Sequence, residues 1–208
     1  MGKTHALVRV AESHALRKVQ PWTVVVVDPK REMPRHTRHG VIVSGPRGAD
    51  EACKRGHRLL IWQGGTGYGD RPDTNAACAW VLQRGAGTLL CLPEAHLALP
   101  NGPIPPIETV EVLTGYRHRG LAVILDTQRL VSLSMMARNN LDKARVFGTT
   151  GPRDLAELEA WGGVELSTAA RECARRRRPP PDGKGEPGWF VDYDPMVSCG
   201  PYKLERFK

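Results

Sequence analysis

Residues 23–27 read Thr-Val-Val-Val-Val, five β-branched side chains in a row, and Asp28 and Pro29 follow at once. β-branched residues are stiff at χ1 and favour extended backbone. Alternation would mark a strand with one wet face. An unbroken apolar run has no wet face and needs cover on both sides, as in the interior of a parallel sheet between helix layers. Short apolar runs follow at 41–43, 59–62, 89–92, 121–125 and 144–147.

Helical spacing fills several of the gaps. In residues 5–19, Leu7, Val10, Ala11, Ala15 and Val19 share one face, and Pro21 ends the segment. Residues 72–83 have Asp73 as a possible cap, and 106–116 set Ile107, Val110, Leu113 and Tyr116 on one side. Residues 131–138 and 154–161 are further candidates. Strands alternating with helices imply an α/β, doubly wound, mostly parallel sheet with helices on both faces. Such sheets bind ligands at the carboxyl ends of their strands.

The tail differs in kind. Four arginines, three prolines and a Gly-rich charged stretch span 175–188, and 188–194 can return as an edge strand. The division expected is a core over 1–174 and a basic, Pro-rich linker and arm over 175–208.

Charge and cysteine content narrow the partners. Thirty Lys and Arg against 22 Asp and Glu give a net charge of +8. That balance suits a polyanionic partner through release of phosphate counterions, and equally a solubilising surface. Five cysteines without C-x-x-C spacing, two of them (Cys78 and Cys91) in apolar runs, suit free thiols in a reducing cytoplasm. The polar N-terminus shows no signal peptide, and no apolar run reaches the length of a membrane span.

Four segments carry chemistry. The first is Gly2-Lys3-Thr4 ahead of a helix, the last three positions of the phosphate-binding pattern G-x-x-x-x-G-K-[ST]. Gly lets backbone approach phosphate, Lys neutralises β and γ oxygens, and the Thr hydroxyl ligates Mg²⁺ at a helix N-terminus. The same residues also read as an ordinary charged end capped by Thr4. The second is Asp28-Pro29-Lys30 after the valine run, which is also common turn chemistry. The third is the apolar run ending in Pro93-Glu94-Ala95-His96, where Glu94 also suits a helix start. The fourth is 116–129, YRHRGLAVILDTQR, in which a basic segment leads into a strand ending at Asp126-Thr127-Gln128-Arg129.

Taken in this order over residues 1 to about 150, the segments resemble the FtsK/HerA superfamily of P-loop ATPases, which includes conjugative coupling proteins and viral packaging ATPases. The resemblance implies a RecA-like fold, ATP and Mg²⁺ as cofactors, DNA as the moved partner, and a ring-shaped homo-oligomer. It assigns Gly2, Lys3 and Thr4 to the nucleotide, with Thr4 on the metal. Glu94 takes the place of the water-activating glutamate after the Walker B strand. Gln128 takes that of the γ-phosphate sensor. Arg117, with Arg119 as rival, takes that of an arginine reaching a neighbour's site. Pro93 stands where the family has an Asp.

The strand and loop glycines that precede G-K-T in this superfamily have no counterpart in the sequence, so the expectation is an N-terminal truncation with the first strand missing. Small size suits genome packaging or a phage or mobile-element protein. The alternative is a degenerate, non-hydrolysing subunit that binds DNA or partner subunits, which Pro93 and the shortened loop favour. Other features carry less. The Gly-rich 63–72 segment lacks a Lys. The histidines have no ligand spacing. Ser132 and Ser134 lack G-x-S-x-G context.

Overall fold

The structure, a computed structural model, describes residues 3–63, 71–102, 104–176, 189–194 and 204–206, with the backbone alone at 3–5, 71–73, 189, 204 and 206. Gly2 and the Gly-rich loop 64–70 lie outside the described residues. The chain divides into two compact units, Thr4–Gln128 with Leu133–Ala137, and Arg129–Ser132 with Arg138–Lys208 and Met1–Lys3.

The larger unit is a five-stranded, wholly parallel sheet in the order β2-β3-β1-β4-β5. Its strands are β1 (Thr23–Val27), β2 (Val41–Val43), β3 (Leu59–Trp62), β4 (Thr88–Leu92) and β5 (Leu121–Leu125). The valine run lies in the middle: Val24 pairs with Leu59 on one side and Leu89 on the other, and all five residues of β1 are buried. The period of two then sends alternate side chains into two cores. Val25, Val27, Leu60, Trp62, Leu90 and Leu92 face one; Val24, Val26, Leu59, Ile61, Leu89 and Cys91 face the other.

The first core is covered by α2 (Pro46–Lys54), α3 (Arg71–Arg84), the single turn α4 (Ala95–Ala98) and α5 (Ile107–Gly115). Ala49, Ala52, Ala77, Val81, Ala95, Val112 and Leu113 are the side chains that cover it. The second core is covered by α1 (Lys3–Ala15), through Leu7, Val8, Ala11 and Ala15, and by Met33 from the segment joining β1 to β2. Each fully buried Val or Leu is worth roughly 1.5–3 kcal/mol of transfer free energy, so this two-sided burial sets the fold. α1 stops at Ala15, short of Val19; Leu16 and Val19 are exposed.

The sheet is continuous across its five strands. β5 is its edge among the described residues, and four of its five apolar residues are only half-buried.

The smaller unit holds an antiparallel sheet in the order β6-β7-β8, from β6 (Ala144–Val146), β7 (Trp189–Tyr193) and β8 (Leu204–Arg206). The run at 144–147 thus leaves the parallel sheet. It packs with α7 (Pro152–Arg176), which is two helices joined at Gly162 and Gly163; Gly163 has φ 75°. Leu155, Leu158, Leu166, Ala170 and Val191 form its core, and Trp161 stacks on Tyr193. Arg175 and Arg176 lie in the last turn of α7, both paired with Glu172. A short helix, α6 (Met135–Asn139), lies between β5 and β6 in the chain. Among the described residues no helix is long and apolar enough to cross a membrane.

Candidate functional site at the carboxyl edge of the sheet

Because all five strands are parallel, their carboxyl ends lie along one edge. That edge gathers Asp28 after β1, Gln63 after β3, Pro93 and Glu94 after β4, and Gln128 beyond β5.

Glu94 is held by backbone and side chain together. The β4–β5 pairing runs past the strand ends: Asp126 N–H donates to the Leu92 carbonyl at 3.0 Å, and Ala95 N–H to the Asp126 carbonyl at 2.6 Å. The Thr127 hydroxyl and His96 Nδ1 meet at 3.2 Å. These bonds pin the segment after β4 against the one after β5. Between them Glu94 takes φ 49°, ψ 47°, the left-handed region. A non-glycine residue there stores on the order of 1 kcal/mol and is retained where its neighbours over-determine it.

The result is a convergence on one atom. Oε1 of Glu94 accepts a hydrogen bond from Gln128 Nε2 at 2.7 Å and a charge-assisted one from Lys30 Nζ. The Glu94 side chain is 14% exposed and that of Lys30 26%. A half-buried carboxylate, with its position fixed by a cation and an amide, suits the orientation of a small polar reactant.

Asp28 plays a different part. It is 2% exposed. Its Oδ1 accepts from Glu32 N–H at 3.0 Å, and its Oδ2 from Met33 N–H at 3.0 Å and Gln63 Nε2 at 2.7 Å. Three donors satisfy the buried charge and shape the chain that carries Lys30. A small pocket opens beside this cluster, lined by Val27, Pro29, Thr74, Leu92, Pro93, Glu94, Leu97 and Ala98.

Of the residues singled out from sequence, Glu94 and Gln128 are brought into contact. Arg117 is not: it sits in the turn before β5, at the amino edge, where its Nε donates to Tyr116 Oη at 3.1 Å and its guanidinium lies over that ring. Arg119 is paired with Glu111. Lys3 and Thr4 begin α1. Trp22 N–H bonds the His14 carbonyl at 3.1 Å, so the end of α1 meets the start of β1 and the helix runs antiparallel to the strand. Its N-terminal half therefore points to the carboxyl edge. Lys30, Asp28 and Gln63 have no role that the sequence by itself assigns. Asp28 and Lys30 stand in the Asp-Pro-Lys segment, but their partners lie 35 and 64 residues away in the chain.

Metal fit is poor among the described side chains. Pro93 is buried where a metal-shell carboxylate is expected, Asp28 is already held by three N–H donors, and no cluster of three His, Cys, Asp or Glu is placed to hold an ion.

A parallel sheet in this order, covered on both faces, with its polar side chains gathered at the carboxyl edge, is the P-loop NTPase fold. Solved structures share it along nearly the whole chain. The genome packaging NTPase B204 from Sulfolobus turreted icosahedral virus 2, in complex with AMPPCP, is 17% identical over 97% of this chain and 88% of its own, with a TM-score of 0.67. In complex with ATP-gammaS the same NTPase matches at a TM-score of 0.68 and 17% identity, over 97% of this chain and 90% of its own. B204, the DNA-packaging ATPase from Sulfolobus Turreted Icosahedral Virus, is 15% identical over 98% of this chain and 92% of its own, at 0.66. No protein-family model matches the sequence, and no curated protein matches it.

Proposed function

We propose that this chain is an ATP-dependent DNA motor of the FtsK/HerA kind, acting in genome packaging. The observation that carries the reading is Glu94 at the end of β4, fixed on Oε1 by Gln128 from beyond β5, within a P-loop NTPase fold. The solved structures with this fold that are named for genome packaging support the choice of task.

In this reading Glu94 accepts a proton from a water as the water oxygen attacks the γ-phosphorus. The bond from that phosphorus to the β–γ bridging oxygen breaks, and ADP and phosphate leave. Gln128, bonded to Glu94, registers whether the γ-phosphate is present. Lys3 neutralises the phosphates, with Gly2 admitting them close to the backbone. Thr4 is the residue the sequence offers to hold Mg²⁺, which would supply positive charge against the phosphates. Arg117, at the far edge from Glu94, suits a role in trans, on the site of an adjacent subunit in a ring. Work on DNA in a reducing cytoplasm is in keeping with free thiols at Cys53, Cys78, Cys91 and Cys173.

A second reading has two specific observations behind it. The metal-shell acid is replaced by the buried Pro93, and Lys30 already occupies Glu94, so the chain serves as a nucleotide- or DNA-binding subunit without turnover.

Phosphate release with and without duplex DNA separates the two. The motor reading expects DNA-stimulated release that Lys3→Ala and Glu94→Gln each abolish. Release untouched by both substitutions removes these residues from the mechanism.

A further inference from the structure

The segment joining β1 to β2, residues 28–40, is unusual in being both rigidly held and covered with cations. Asp28 fixes its start by accepting the Glu32 and Met33 N–H groups. Met33 is 4% exposed and packs in the core under α1. The Thr37 hydroxyl donates to Glu12 of α1, and Thr37 Oγ1 accepts from His39 N–H at 3.1 Å. Gly40 closes the segment against Ile61, whose Cδ1 would lie 2.5 Å from any added Cβ.

On this frame Arg31, Arg35, His36, Arg38 and His39 are exposed, against the single exposed acid Glu32. Among the described residues neither Arg35 nor Arg38 pairs with a carboxylate, whereas on α2 Arg47 pairs with Glu51 and near α5 Arg119 pairs with Glu111. Four of the five side chains from 35 to 39 end in N–H donors, two of them guanidinium forks matched to phosphate oxygens. The segment's long apolar side chain, Met33, is turned inward, so the surface offers a bilayer nothing to insert.

We propose that the surface formed by Arg35, His36, Arg38 and His39 binds the phosphate backbone of duplex DNA. This rests on the reading of the chain as a DNA motor and adds where the duplex is held. Because the frame is already ordered, binding costs little ordering entropy. Contacts to phosphate alone position the duplex without reading its sequence, which a translocating protein requires.

The test is fluorescence anisotropy with a duplex of arbitrary sequence, titrated over a range of salt, using the whole chain. Arg35→Gln/Arg38→Gln is expected to weaken binding to all sequences alike. It should also lower the slope of log K against log salt by about two, near 0.9 for each phosphate left without its arginine. Arg47→Gln/Arg55→Gln, an equal charge change on and just after α2, should leave the slope in place. Arg35→Glu/Arg38→Glu guards against compensation and should weaken binding further, with melting curves confirming that each variant is folded. If the wild type binds DNA and the Arg35/Arg38 variants bind as tightly, or the two double-Gln variants lose affinity equally, the surface is wrong and the motor reading stands. If the wild type binds anionic vesicles but not DNA, both are overturned.

Discussion

Lys30, three residues past the end of β1, reaches across the carboxyl edge of the sheet to Oε1 of Glu94, one of the three residues, with Gln128 and Arg117, to which the family resemblance assigns catalytic roles. The ion pair joins the central strand to its neighbour β4. A cation on a half-buried carboxylate restrains where it can point, which makes Lys30 a positioning residue for Glu94. Lys30→Met should lower kcat for ATP hydrolysis roughly tenfold, because a loosened base spends less time in line. KM for ATP should hardly change, and Lys30→Arg should recover most of the rate. Equal rates in the wild type and Lys30→Met would detach this ion pair from turnover.

Glu94 also offers a test of backbone strain. Glu94→Gly and Glu94→Ala remove the same hydrogen bonds but differ in the cost of the left-handed backbone. Glycine should be the more stable variant by about 1 kcal/mol, measured by chemical denaturation. Equal stability would mean that the strand end relaxes to another conformation.

Asp28 should matter to stability through the donors it satisfies. Asp28→Ala strands the Glu32 and Met33 N–H groups and the Gln63 amide. The expected loss is about 2–4 kcal/mol, read as a lowered denaturation midpoint. A loss below about 0.5 kcal/mol would show that water replaces the carboxylate.

Burial raises the Cys91 thiol to about 12 and the Cys78 thiol to about 11, from an ordinary 9.0. The folded state therefore disfavours both thiolates. The stability tied to the neutral thiols is complete below pH 9 and is lost as pH climbs from there towards 11 and 12. Wild-type stability should fall relative to Cys91→Ala between about pH 9 and 11. Parallel curves would place Cys91 in contact with water.

The strands of the larger unit were legible because each is a short apolar run, and the valine run could only be central. Glu94 and Gln128 stand in motifs at strand ends, and the fold brings the two into contact. Helix α2 escaped notice because its buried residues are the small Ala49 and Ala52, which leave no large apolar stripe. In α7, the helix expected over 154–161 covers only the first part, because the chain bends at Gly162 and Gly163 and resumes a helix whose core includes Leu166 and Ala170. The run at 144–147 looked like a sixth parallel strand, and only its pairing with residues almost fifty positions later shows otherwise. Lys30 was missed for the same reason: the ion pair that gives it meaning exists only once β1 and β4 are side by side.

Activation of water by Glu94 on bound ATP is the step on which the proposed function turns. Its most direct measurement is single-turnover phosphate release from prebound ATP, comparing wild type with Glu94→Gln at matched nucleotide occupancy. The expected result is undiminished ATP binding with release slowed by about 10²–10⁴-fold in Glu94→Gln, the usual worth of a general base. Equal release from both proteins, or none from the wild type with ATP bound, would contradict it.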